Sequence, residues 1–184
     1  MSSEAILHAV VSDFVSQLEK SIGLLSALSK FQKVFERNAS PISDVFKVFL
    51  ELPATFNEIK MPISAFGIIS SVLKERFDFV YGDAHSVSYL LDPRYAGKDM
   101  DPETRDGVEE FIAKWNGPDN EDATMIELMK FQAATTRQII LVRDQRIGVQ
   151  EFWHGVSGFP LLRKIATTVF ASACSSAAAE RNFS

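Results

Sequence analysis

The stretch PLLRKIATTVF, Pro160 to Phe170, decides how this chain folds. Leu161, Leu162, Ile165, Ala166, Val169 and Phe170 recur at steps of three and four, so a helix gathers them on one face and sends Arg163, Lys164, Thr167 and Thr168 to the other. Proline suits the first helical position, because the N–H it lacks would have no partner there and its φ is already helical. The sequence therefore predicts a last full helix opening at Pro160.

The same period recurs upstream. From Ile6 the apolar residues Val10, Phe14, Leu18, Ile22, Leu25, Leu28, Phe31 and Phe35 keep one face continuous, which predicts a single helix over residues 4–37 with Gly23 as its weak point. At 1.5 Å per residue it would run about 50 Å. Ser40 and Pro41 read as a cap followed by a first-position proline, leading Ile42, Val45, Phe46, Phe49 and Leu50 to a stop at Pro53. Pro62 opens another helix with Ile63, Phe66, Ile69, Val72, Leu73 and Phe77 on one face, and Asp101-Pro102 opens one carrying Val108, Phe111, Ile112 and Trp115. Residues 116–122, NGPDNED, form the clearest loop, after which Met125, Leu128, Met129 and Phe131 resume the helical period. Only 77–81 (FDFVY) and 138–142 (QIILV) have strand composition, and neither has a hairpin partner with the required turn chemistry. The expected architecture is all-α or nearly so, an irregular multi-helix domain with one long N-terminal helix and no Gly- or Ser-rich linker.

Bulk properties narrow the function. With 184 residues, 46% of them apolar and 11% aromatic, the chain can bury a core. A net charge of −5 and a pI near 5.2 argue against a stand-alone nucleic-acid binder. The single cysteine, Cys174, excludes an internal disulfide and a cysteine-based zinc site and fits a reducing compartment. The opening MSSEAILHAVVSDF has no basic leader and reaches Asp13 and Glu19 too soon for a signal peptide or a membrane span, so no membrane association is expected.

Chemistry-bearing motifs are scarce. His8, His85 and His154 lie far apart and none has metal-ligand spacing to another candidate ligand. Gly155 and Gly158 flank a turn without the lysine of a phosphate loop, and Ser157 lacks the strand that would expose a nucleophile. Asp78 and Asp83 are five apart, which on a helix points them to different faces and makes a two-ion carboxylate site a poor reading. Asp92 precedes Pro93, where an aspartate commonly caps a turn.

Residues 151–184, EFWHGVSGFPLLRKIATTVFASACSSAAAERNFS, run from an acid-Phe-Trp start through Pro-x-Leu and Ile-Ala to Ser-Ser-x-x-x-Glu-Arg-Asn-Phe-Ser. That order and spacing resembles the C-terminal signature of hAT-family transposases. Residues 84–97, AHSVSYLLDPRYAG, resemble a hAT-like segment in which a His-containing helix leads into Leu-Asp-Pro-Arg-Tyr. Together the two stretches cover about a quarter of the chain. The resemblance implies a helical insertion within a ribonuclease-H-like transposase core, with residues 1–150 as the insertion-like region and 151–184 as the dimerisation motif, packed as one domain.

The resemblance also assigns roles. The third of the family's metal-binding acids maps onto Glu180, but the two earlier strand-borne acids have no counterpart here, and one carboxylate cannot hold two metal ions for an in-line displacement. The expected function is therefore self-association of a transposase-like fragment that is not an enzyme by itself, with no cofactor, a divalent metal being expected only in a complete transposase. Homodimerisation is the expected partnership, and the implied setting is nuclear, with the cytoplasm as the other option. Phe152, Trp153, Phe159, Leu161, Leu162, Ile165, Val169 and Phe170 form the candidate apolar cluster, able to serve a core or an interface. The long first helix is a second candidate, because its apolar face exceeds what the rest of the chain readily covers. The alternative is a DNA-contacting part of a transposase or of a domesticated copy, using Arg143, Arg146, Arg163 and Lys164, with Arg137 beside them.

Overall fold

The computed structural model describes residues 3–35, 40–59, 63–80 and 82–171. The described residues are all-helical and contain no strand. The nine α-helices among the described residues are α1 (Ser3–Phe35), α2 (Ser43–Glu58), α3 (Ile63–Val80), α4 (Asp83–Leu91), α5 (Pro102–Trp115), α6 (Glu121–Ala133), α7 (Arg137–Arg143), α8 (Val149–Gly155) and α9 (Pro160–Phe170), with a 3-10 turn at Pro118–Asn120. The chain divides into two compact units, one of residues 1–34 with 48–80 and one of 35–47 with 81–184. The division expected at 150/151 runs through the second unit, where α8 and α9 share a core with α4 to α7.

In the second unit α9 packs against α4, α5, α6 and α8. Leu162, Ile165 and Ala166 are fully buried, and the small Ala166 lets neighbouring helices approach closely. Its opening is anchored from outside: Pro160 has no N–H, and the next two amides, of Leu161 and Leu162, donate to Glu127 Oε2 of α6 at 2.9 and 3.2 Å. A carboxylate at the positive end of a helix satisfies donors that would otherwise be orphaned. The core continues through Leu90 and Leu91 of α4, Ile112 of α5, Leu128 and Phe131 of α6, Ile139 and Val142 of α7, and Phe152 and Trp153 of α8.

Helix starts follow the sequence closely in this unit. Asp101 caps α5 by accepting from the Thr104 amide at 2.9 Å, with Pro102 in the first turn as expected. Those bonds hold the Asp101 carboxyl below the usual carboxylate range. The strand-like composition of 138–142 is overridden: the Thr136 hydroxyl accepts from the Ile139 amide and starts α7, and Ile139 and Val142, one turn apart, both enter the core.

In the first unit, α1 is continuous through Gly23, the weak point of the sequence reading. A Cβ at Gly23 would lie 3.5 Å from Ile59, so glycine here marks close packing rather than a break. The strand-like residues 77–80 belong to α3. Contrary to the sequence reading, α2, whose first residues belong to the second unit and the rest to the first, begins at Ser43 rather than at Ser40-Pro41, and does not stop at Pro53 but continues to Glu58. An interior proline costs a helix about 3 kcal/mol. Leu52 and Phe56, both buried on either side of it, outweigh that cost.

Candidate functional site

The segment after α4 has the richest side-chain chemistry among the described residues. Asp92 ends α4, is fully buried, and folds the next residues back: its Oδ1 accepts from the Arg94 amide at 2.9 Å, the turn expected of an aspartate before proline. The same carboxylate accepts from Arg94 Nη2 at 2.7 Å and Nε at 3.1 Å, and from the Ser43 hydroxyl at 2.6 Å. Arg94 Nη2 also reaches Asp44 Oδ1 at 2.8 Å, and the Tyr95 hydroxyl donates to that same oxygen at 2.7 Å. Two carboxylates from segments some fifty residues apart in sequence are thus bridged by one guanidinium.

The electrostatics follow from burial. Burial opposes the Arg94 charge, but the bonds and charges of Asp92 and Asp44 outweigh it and hold the guanidinium firmly protonated. Burial, reinforced by the bond to Asp44, pushes the Tyr95 hydroxyl well above its ordinary value, so it keeps its proton at neutral pH. Arg94 stacks over the Tyr95 ring at 4.8 Å, and Tyr95 stacks on Tyr89 at 4.9 Å. No described buried side-chain polar atom lacks a partner. A network bonded this heavily within the chain is suited to fixing the chain path.

The backbone around it is pinned in the same way. Trp153 of α8 donates its indole N–H to the Leu91 carbonyl at 3.0 Å, and Arg143 of α7 donates to the Pro93 carbonyl at 3.0 Å. The Tyr89 hydroxyl donates to the Lys98 carbonyl, and Arg105 to the Gly97 carbonyl. Gly97 sits at φ +71°, and a methyl group there would run into Leu90 and Arg105, so the position requires glycine.

Of the expected interface residues, Phe152, Trp153, Leu162, Ile165, Val169 and Phe170 are buried within the second unit, and Phe159 and Leu161 are half-buried. The core role is the one these six side chains fill. The expected DNA-contacting residues Arg143, Arg146, Arg163 and Lys164 are all exposed, and Arg143 and Arg163 also donate to the backbone, at Pro93 and Val156. Glu180 lies outside the described residues. Among the described residues no three His, Cys, Asp or Glu side chains could share a metal ion, and no helix is long and apolar enough to cross a membrane.

A cleft of about 340 Å³ opens between α4 and α5, lined by Asp83, Ser86, Val87, Glu103, Thr104, Gly107, Val108 and Phe111. Its two carboxylates sit in the first turns of their helices, where they offset the helix dipole. The Nδ1 of His85, beside it, lies 3.3 Å from the Gly82 backbone; burial, partly opposed by that backbone contact, lowers its pKa.

The apolar face of α1 carries most of the exposed large apolar side chains described in the chain. Val10, Val11, Phe14, Val15, Leu18, Ile22, Leu25 and Leu28 are all exposed, Phe14 to 65% and Leu25 to 63%. Ile68 and Val72 of α3 are exposed as well. No protein-family model, curated protein or solved structure matches the chain.

Sequence reasoning found the Asp92 turn and the α1 face but missed the partners of Arg94. Nothing in a linear sequence pairs Asp44 with Arg94 across fifty positions. The one local signal was an arginine and an aspartate two residues apart around a proline, a spacing that favours an internal ion pair.

Proposed function

We propose that the chain is a self-association region of a hAT-transposase-like protein, without catalytic competence of its own. The observation that carries this reading is the row of eight large exposed apolar side chains on α1. Large apolar patches on soluble proteins mark interaction sites. Support for the family label comes from the way its two motif-bearing stretches meet. Trp153, from the acid-Phe-Trp start, donates to Leu91, from the Leu-Asp-Pro-Arg-Tyr segment, and α4 packs on α9. Residues that resemble one family's motifs at two distant places are thereby parts of one core.

The reading is tested by light scattering behind size exclusion across a wide concentration range. A mass of two chains or more supports it, and one chain at every concentration overturns it. Trp153→Glu is unsuitable as the diagnostic variant, because Trp153 is fully buried and its loss would act on folding.

A further inference from the structure

On α1 the face turned toward the rest of its unit is the less apolar one. Ala27 is buried to 6% exposure, and Ser16, Lys20, Gly23, Leu24 and Phe31 are half-buried, while a Cβ at Gly23 would touch Ile59. Ser16, Gly23 and Ala27 on this stripe are small and allow close approach, and most of the large apolar side chains described on the helix are left facing solvent.

The exposed row has a definite period. Val11, Phe14, Leu18, Ser21, Leu25 and Leu28 follow spacings of three, four, three, four and three, the seam of a heptad repeat. Its one polar member, Ser21, turns its hydroxyl back onto the Gln17 carbonyl at 2.9 Å. The exposed positions flanking the seam are Val10 and Gln17 on one side and Val15, Ile22 and Ser29 on the other, none of them charged, while Leu24 and Phe31 turn toward the chain's own unit. Asp13, Glu19, Lys20, Lys30 and Lys33 fall on the remaining positions, and the one charge in register with the seam, Glu4, lies a heptad before Val11 at the start of the helix. In a pairing of identical helices every flanking charge would meet its own kind or its opposite at close range; between Val10 and Ser29 there is none to repel.

We propose that a second copy of this chain covers the seam, with α1 of one protomer packing on α1 of the other through Val11, Phe14, Leu18, Leu25 and Leu28. This rests on the self-association reading and moves its interface from residues 151–184 to α1. A 33-residue helix of about 50 Å supplies the length. An uncharged heptad seam is matched by another such seam, and this chain carries one. Uncharged flanks also widen the contact beyond the seam itself.

The experiment compares the masses of the full 184-residue chain, a Leu18→Glu/Leu25→Glu variant and a Glu19→Gln control by light scattering, with helicity followed by circular dichroism. The inference expects two chains or more for the parent and control and one chain for the double variant. Leu18→Ala/Leu25→Ala keeps good helix formers in place while removing the packing side chains, and should raise the dissociation midpoint by about tenfold or more. A parent that is one chain at every concentration overturns both this inference and the self-association reading. Multimers that survive both variants overturn the inference alone and leave self-association to another surface.

Discussion

Helices α1 and α9 are both amphipathic and are used in opposite ways. α9, eleven residues long, buries Leu162, Ile165, Ala166, Val169 and Phe170 against four neighbouring helices. α1 is three times as long, 33 residues against 11, and Ala27 is the one buried side chain among those described on it. An apolar stripe tells that a helix must bury one face. It does not tell whether the cover comes from the same chain, and here the covered helix is the one anchored at its opening by Glu127.

The sharpest break of this contrast is at the core end. Trp153→Ala should destabilise the second unit by about 3–5 kcal/mol, the usual cost of deleting a large buried aromatic, with the Leu91 carbonyl losing its donor as well. Urea denaturation followed by far-UV circular dichroism checks it. A loss below about 1 kcal/mol would mean that the α8–α9 aromatics are not the centre of the core.

Arg94→Met should cost about 3 kcal/mol or more, because it leaves the Asp92 carboxylate buried without its counter-charge. The informative companion is Asp92→Asn/Arg94→Met. Removing both charges should recover part of the loss, since an unpaired buried charge is worse than none. A double variant as unstable as the sum of the two single ones would show that the pair is not coupled.

Tyr95→Phe should cost about 1 kcal/mol at neutral pH, the net worth of one hydrogen bond. The Tyr95 pKa is raised on folding, so the folded state holds that proton more tightly than the unfolded chain does. The stability linked to it is fully present below the unfolded value near 10 and is lost as pH rises above it. The gap between wild type and Tyr95→Phe should therefore narrow above about pH 10. A gap that is flat across that range would place the Tyr95 hydroxyl in water.

Much of the fold was legible because helix starts are written locally. Pro160, Asp101-Pro102 and the period of α1 each specify an element from a few adjacent residues. What was not legible depends on distant partners. The helix through Pro53 persists because Leu52 and Phe56 are buried, and 138–142 is helical because Ile139 and Val142 find a core, neither of which propensity can show. The candidate site divides in the same way. The Asp92 turn is a two-residue event, while the bridge from Arg94 to Asp44 spans fifty positions, and the assignment of the α8–α9 aromatics to core or interface depended on what surrounds them.

The smallest expected effect is the most discriminating, because one substitution can be made in both helices. Leu162→Ala in α9 removes a fully buried side chain and should cost about 2–5 kcal/mol. Leu25→Ala in α1 removes one that is 63% exposed, and at protein concentrations too low for association it should change stability by no more than about 0.5 kcal/mol. Alanine's better helix propensity pulls the same way. At high concentration the two proteins should separate, since a partner that binds only the folded chain adds stability in proportion to the logarithm of its concentration, and Leu25→Ala weakens that partner's hold. A Leu25→Ala cost above about 1 kcal/mol that does not depend on concentration would mean that the single chain covers its own seam, and the contrast between the two helices would be lost.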